Sequence, residues 1–392
     1  MTTSPRDQVR TVGIEEELLL LDPATRQVAP RSRAALKAHR DRAPGDDTLD
    51  QELFRHQVET RTEPVTVLDD ALGQLCAARR SAGEAARAAG AAAVASGIVP
   101  FGPLEPQVSP DDRYRAMLEQ FGDVARSGGT CGMHVHVGID SPEEGVAVID
   151  RVAPWLPALL AVSTNSPYAA GRDTGYASWR AQVWSRWPSA GTTEAFGSLA
   201  GYERACRDLL ATGAARDEGM LYFDARLSRE HPTVELRVFD VCADPEDALL
   251  AAALARALVS WAADEHAAGA PVARPRAELL RAAHWRASRY GTTGRLVDPR
   301  GTEPLPAAEV LDSLVATVRP WLERAGDLER VQEGVARVLR ASGATQQRAA
   351  YERAARRAAP GEDRTLVGVR GVVDDLVERS EQVWEHPGSG NG

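Results

Sequence analysis

The chain has 392 residues, 43% hydrophobic and 26% charged, with a formal net charge of −10 at pH 7 and a pI near 5.4. That composition suits a globular protein with a sizeable core, and its acidic balance argues against a nucleic-acid or anionic-membrane surface and for small-molecule chemistry. Lys37 is the only lysine, so there is no GxxxxGK[ST] loop, no strand lysine of the kinase kind and no Schiff-base lysine; any phosphate falls to arginines and metal ions.

The start, MTTSPRDQVRTVGIEEE, lacks the apolar run of a signal peptide, and the later ALLAAALARALVSWAA is short and carries Arg256. Cys76, Cys131, Cys206 and Cys242 are scattered, with no CxxC pair. The expectation is a cytoplasmic, non-spanning protein with reduced thiols.

In chain order, TVGIEEELLLLDP reads as a strand closed by the Asp22-Pro23 turn, and after a polar connection FRHQVETRT reads as a second, shorter one. Leu68, Ala71, Leu72 and Leu75 recur at helical spacing behind Asp69 and Asp70, which predicts a helix over about 67–89. AAAVASGIVPF reads as a strand stopped by Pro100, 113–125 as a helix, CGMHVHVGI as a strand, and SPEE as the start of another helix at Ser141. The run NSPYAAGRDTGYASWRAQVWSRWPSAGTT is too long for plain connection and is expected to be a lid or binding loop. GMLYFDARLS and TVELRVFDV read as neighbouring strands joined at His231-Pro232, and from Pro245 the pattern is helical almost to the end. Short, largely antiparallel strands followed by many helices indicate the α+β class. The expected organisation is one domain over 1–385, with a helical C-terminal part over about 302–385 and a disordered tail over 386–392.

Ionisable residues recur at i, i+2 spacing: Glu15 and Glu17, His134 and His136, Glu235 and Arg237. The pleat puts each pair on one face, and QVETR adds Glu59 with Gln57 and Arg61 beside it. Each motif alone has an ordinary meaning: an edge-strand charge run, a half-exposed histidine pair, a cross-strand ion pair. Recurrence on apolar strands of one chain is what joins them, because gathered carboxylates must either protonate or collect cations. Oxygen-rich ligands with one imidazole per ion suit Mg²⁺ or Mn²⁺ better than zinc, and paired hard cations flanked by arginines match phosphoryl transfer from ATP. A metallohydrolase built on HxH and a non-catalytic nucleotide-binding protein are the other readings these residues leave open.

Taken in order, GIEEELLLLD, QVET, CGMHVHVGI, NSP with GRDTGYASWR, VWSRWP, GMLYFDAR, TVELRVFDVC and HWRASRYG resemble the carboxylate–amine ligases of the glutamate–cysteine ligase type 2 family, from about Thr11 to beyond Asp298. The resemblance implies a glutamine-synthetase-like catalytic fold: a curved, mainly antiparallel sheet with helices on its outer face, and ATP with two or more metal ions on its concave face. It implies Glu15, Glu17, Glu59, His134 and Glu235 as metal ligands, His134 serving the metal nearest the γ-phosphate. His136 would lie near ATP and Arg237 would stabilise the transferring phosphoryl group, which makes these two the expected catalytic residues. The implied reaction activates a carboxylate, most simply the γ-carboxylate of glutamate, as an acyl phosphate and transfers it to an amine.

Arg172, Arg180 and Arg186 in the long loop are candidates for gripping phosphate or substrate carboxylate, since guanidinium binds either bidentately. Tyr222 and Trp184 read as wall residues. Two positions depart from the family pattern: Ile98-Val99 replaces a Thr-His pair before Pro-Phe, and Thr60-Arg61 replaces Leu-Asn after QVE. Both bear on the acceptor pocket and leave cysteine, another amino acid or another amine open as the acceptor. The expected partners are these small molecules, with no nucleic acid and no membrane, and the long Ala- and Leu-rich helices are candidates for a homodimer interface.

Overall fold

VGIEEELLLL forms strand β1 (Val12–Leu21), buried at Val12, Ile14, Glu16 and Leu18 and half-buried at the alternate positions, then buried throughout Leu18–Leu21. That alternation is the signature of a strand with one face on a core, and it delivers Glu15 and Glu17 to the other face. The computed structural model describes residues 8–102, 107–126 and 129–385, so the tail 386–392 lies outside the described residues.

The sheet also contains β2 (Leu49–Gln51), β3 (Gln57–Arg61), β4 (Ala92–Val94) and β5 (Gly132–Gly138). A hairpin of β6 (Tyr168–Ala169) and β7 (Arg172–Asp173) stands apart, and β8 (Ala225–Leu227) and β9 (Thr233–Asp240) complete the main sheet. Its order is β2-β3-β1-β5-β9-β8, with β4 also paired to β1, and the pairings are antiparallel. The register sets Glu15 opposite His134, Glu17 opposite Glu59, and His136 opposite Glu235. Between β5 and β9 the register shifts across Met133 and Val135, an irregularity of the kind that re-aims a side chain, here His134.

Helices cover the opposite face, and two short ones, Asp112–Phe121 and Trp179–Trp184, also reach the side that carries Glu15 and Glu17. In chain order they are α1 (Ser32–Arg42), α2 (Leu68–Ala88), α3 (Asp112–Phe121), α4 (Asp123–Arg126), α5 (Pro142–Val152), α6 (Leu156–Ser163), α7 (Trp179–Trp184) and α8 (Leu199–Ala211). After the sheet come α9 (Pro245–Ala267), α10 (Ala277–Tyr290), α11 (Ala307–Ala325), α12 (Leu328–Ala341), α13 (Gly343–Ala355) and α14 (Arg364–Glu385). Met133, Val135 and Val137 of β5 share one core with Leu75 of α2, Ile149 of α5, Leu160 of α6 and Leu254 of α9. Helix α9 is apolar on nearly all sides and almost wholly buried, the behaviour expected of a helix enclosed by others. Leu18–Leu21 enter a second core with α1, α2 and α14. The stretch Pro142–Ser163 is apolar and long enough to cross a membrane, yet 83% of its most apolar window is buried inside the protein.

Several sequence expectations need amending. The polar connection after β1 contains α1 and β2; SRAALKAHRDR is too polar to show a clear apolar stripe, yet Ala35, Leu36 and His39 are buried against neighbours distant in sequence. AAAVASGIVPF is extended as strand only over Ala92–Val94. The helix expected over 113–125 is divided at Gly122, whose φ of +55° is a left-handed conformation that favours glycine. The long loop is partly regular, holding the β6–β7 hairpin and α7, the latter capped by the Ser178 hydroxyl on the Ala181 N–H.

His56, stacked on Phe54 in the turn before β3, is 1% exposed, and its Nε2 has no hydrogen-bond partner. Burial pushes its pKa down to about 4 from 6.5. Below pH 6.5 the unfolded chain therefore takes up a proton that the folded one refuses, so stability is lost as pH falls from 6.5 to about 4. The loss amounts to on the order of 3 kcal/mol. Urea unfolding of the protein and of His56→Gln across that range tests this: the variant is expected to lose less, and equal slopes would refute the assignment.

Candidate active site

The four motif strands bring their ionisable side chains to one cavity of about 350 Å³. Glu15 Oε2 lies 3.1 Å from His134 Nδ1, and Glu15 Oε1 lies 3.4 Å from His136 Nε2. His134 also lies 3.7 Å from Glu235 and 3.9 Å from Glu17. The other oxygen of Glu17 accepts from the Gly132 N–H at 2.6 Å, which orients it toward β5. Glu235 is held between two guanidiniums, Arg226 at 2.6 Å and Arg237, while His136 Nδ1 is 3.0 Å from the Thr233 hydroxyl.

Charges follow from this packing. Burial raises Glu15, but hydrogen bonds and charge from His134 and His136 outweigh it and hold the carboxyl far below its usual range. Glu235 is likewise pushed up by burial and pulled further down by Arg237 and Arg226. Glu59 moves the other way: burial, then repulsion from Glu52, Glu15 and Glu17, raises it well above 4.5. Burial and Glu17 raise Glu52 to about 7. A directly opposed Glu17–Glu59 pair is unfavourable in a sheet on its own account, so the arrangement asks for positive charge.

The donor geometry fits divalent cations. Ligand atoms of three sets, Glu15–Glu59–His134, Glu15–His136–Glu235 and Glu17–Glu52–Glu59, each lie within 4.8 Å of one another. Two sets are carboxylates with one imidazole and the third is all carboxylate, a combination suited to Mg²⁺ or Mn²⁺. Glu52 is the ligand candidate that the sequence pattern does not reveal: it lies in DQELF, between β2 and β3, and although Asp50 precedes it at i−2, that residue is exposed and the pair stands on no apolar strand.

A second lobe of about 800 Å³ opens on the far side of Glu15, His136 and His231, which line both spaces. Its walls include Arg10, Arg61 and Ile139 from the sheet side and Ala263 and Trp321 from α9 and α11. The indole N–H of Trp321 donates to Asp264 at 2.8 Å, which fixes the ring.

The three loop arginines are dispersed. Arg180 lies in α7, 3% exposed, its guanidinium 5.7 Å over the Trp184 ring and donating to the Arg237 backbone carbonyl at 3.3 Å. It packs so tightly on β5 that a Cβ at Gly132 would sit 2.2 Å from its Nη2. Arg172, on the β6–β7 hairpin, and Arg186, after α7, are exposed, and neither lines either lobe. Among the described residues, Arg113, Arg226, Arg229 and Arg237 are the arginines that line the first lobe. Of the expected wall residues, Trp184 and Tyr222 do line it, with ring centroids 4.7 Å apart.

Residues 11–368 match the family described as "Glutamate-cysteine ligase family 2 (GCS2)". The chain belongs to glutamate–cysteine ligase family 2. Over 384 residues it is 58% identical to "Putative glutamate--cysteine ligase 2-1" of Nocardioides sp., covering 96% of this chain and 97% of that one. In fold it is similar to a glutamate–cysteine ligase of Francisella tularensis solved in complex with AMP, with a TM-score of 0.64 at 11% identity over 96% and 94% of the two chains. It is also similar to a bifunctional glutathione synthetase from Pasteurella multocida, with a TM-score of 0.65 at 14% identity over 96% of this chain and 53% of that one. The chain thus spans about half the length of the bifunctional protein. Likeness at such identities is one of fold, the glutamine-synthetase-like ligase fold of the sequence expectation, whereas membership of glutamate–cysteine ligase family 2 makes the chain an ATP-dependent ligase.

Proposed function

We propose that the protein joins the γ-carboxylate of glutamate, or a closely similar carboxylate, to an amine by way of an acyl phosphate formed from ATP. The observation that carries this reading is the convergence of Glu15, Glu17, Glu52, Glu59, His134 and Glu235, beside Arg237, on one cavity. These carboxylates and the imidazole would hold Mg²⁺ or Mn²⁺, which when bound supplies charge neutralisation for the phosphates. Arg237, tied to Glu235, lines the same space and is suited to the three equatorial oxygens of a phosphoryl group in flight. His136, on the divide between the two lobes, would sit beside the phosphate chain, and the larger lobe with Trp321 would take the adenosine.

In the reaction, an oxygen of the substrate carboxylate attacks the γ-phosphorus and the bond to ADP breaks. The amine nitrogen then attacks the acyl carbon and phosphate leaves. Incubation with ATP, Mg²⁺, glutamate and hydroxylamine, a small nucleophile that intercepts acyl phosphates, is expected to give ADP, phosphate and γ-glutamyl hydroxamate. Release of AMP, or product without ATP, would remove the mechanism.

Glu52→Gln is expected to raise the Mn²⁺ or Mg²⁺ concentration for half-maximal activity by about tenfold or more. It should also reduce the cation-induced rise in melting temperature, since a ligand that binds only the folded state stabilises by mass action. An unchanged metal titration would take Glu52 out of the ligand set.

A further inference from the structure

Resting on the ligase reading, we propose that the acceptor is a carboxylate-free amine with an aromatic or bulky apolar body, an arylalkylamine for instance, and not an α-amino acid such as cysteine. The first observation is the wall facing the acidic groups. Tyr114, Met117, Val183, Trp184, Trp187 and Tyr222 line the same cavity as the carboxylates. Trp184 and Trp187 lie 4.7 and 5.4 Å from the Tyr222 ring, and Phe121 braces Trp187 at 5.3 Å. Behind Val183 the packing stays apolar, through Ile98, Ala169 and Trp179. A surface of this kind gains free energy by covering an apolar body, and its ring faces tolerate the ammonium that an amine carries on entry.

The second observation is the distribution of charge. Of the arginines on the cavity wall, Arg113 bonds Asp217 at 2.8 and 3.0 Å, Arg229 lies 3.1 Å from Glu218, Arg226 is held on Glu235, and Arg237, which shares Glu235, is the one assigned to the phosphoryl group. His134 and His136 both face Glu15. The glutamate donor has an α-carboxylate of its own to place. An α-amino acid acceptor would bring a second one into a space lined by Glu15, Glu17, Glu52 and Glu59, where the described residues leave no further side-chain cation to receive it. A desolvated carboxylate without a partner is costly, and a site that cannot pair it discriminates strongly against it.

The chemistry balances without a further reactant. The ammonium gives one proton to solvent, its nitrogen attacks the acyl carbon, the bond from that carbon to the phosphate oxygen breaks, and the remaining displaced proton leaves on hydrogen phosphate. The test compares 2-phenylethylamine with L-phenylalanine, which adds only a carboxylate, and with L-cysteine, at fixed ATP, Mg²⁺ and glutamate. Amide is read by mass spectrometry and ADP release gives kcat/KM. Phenylethylamine is expected to exceed both amino acids at least tenfold. Tyr222→Ala is expected to lower the ratio of phenylethylamine to hydroxylamine turnover about tenfold, and the comparison in the unaltered protein stands whether or not that variant folds. Hydroxamate formation together with cysteine or phenylalanine turnover equal to or above that of phenylethylamine would overturn the acceptor assignment alone. Absence of hydroxamate would overturn the ligase reading and this inference with it.

Discussion

Arg237→Lys is expected to lower kcat by about 10³-fold or more while ATP binding changes only a few-fold. The guanidinium is 8% exposed and bonded to Glu235, and it lies 3.5 Å from His134 Nδ1. Its Nε is buried without a hydrogen-bond partner, an orphan donor that a phosphoryl oxygen would satisfy. Burial works against its charge, yet Glu235 and Glu17 raise its affinity for the proton, so it stays a fixed cation. Lysine keeps that charge and its attraction to Glu235, which spares the fold the cost of a lone buried carboxylate. It cannot present several donors in one plane to an oxygen array whose charge is shifting. The effect should therefore fall on the chemical step. Single-turnover phosphoryl transfer, with ATP·Mg²⁺ binding followed by thermal shift, separates the two, and a kcat within tenfold of the unaltered protein would show that Arg237 plays no part in transfer.

How much of this site can be read from the chain depends on whether the signal is local. Glu15, Glu17, His134, His136, Glu235 and Arg237 are legible because a strand repeats every two residues, so a pair on one face declares itself within three positions. The Ser141 cap is legible for the same reason, and its hydroxyl accepts from the Glu144 N–H at 3.2 Å. Register is a different matter. That Glu17 faces Glu59 across some forty residues of chain, or that Glu15 meets both histidines, is decided by pairing between segments, and the resemblance to a family implies only that these residues serve a common metal and ATP site.

Glu52 follows Asp50 at the two-residue spacing but on no apolar strand, and Arg226 sits in a strand of three residues, too short to show a pattern. Arg180 misleads in the opposite sense. A polar, glycine-rich neighbourhood reads as solvent-facing loop, whereas its stem and guanidinium are buried on Trp184 and under β9, the kind of placement that long amphipathic side chains permit. Helix α1 escaped because its burial comes from β1, α2 and β2 and its own sequence carries little apolar rhythm.

Replacing either partner of the buried Glu16–Arg79 pair is expected to cost about 3–5 kcal/mol of folding stability. Glu16 is the middle residue of the triplet whose neighbours face the cavity, and the pleat turns it to the helical side, where it is 0% exposed. Arg79 of α2 meets it in two bonds of 2.6 and 2.7 Å and gives two further N–H bonds to the carbonyls of Cys242 and Ala243, at 2.7 and 3.0 Å. One guanidinium thus ties the back of β1 to the chain just beyond β9, the two strands that carry Glu15, Glu17, Glu235 and Arg237.

Glu16→Gln or Arg79→Met alone leaves a charge stranded in the core. Together they remove both charges, and the double variant should regain much of the lost stability, the more so because apolar or neutral replacements of matched volume are well tolerated in such places. Activity need not follow stability back. Without the clamp the spacing of β1 and β9 is left to packing and to their shared ladders with β5, so the double variant is expected to need more Mg²⁺ than the unaltered protein even where it is nearly as stable. Urea unfolding across the cycle and metal titration of each member read the two effects separately. A single-variant cost below about 1 kcal/mol would mean that the pair is relaxed or hydrated in solution, and a double variant with an unaltered metal titration would mean that it supports the fold without aligning the site.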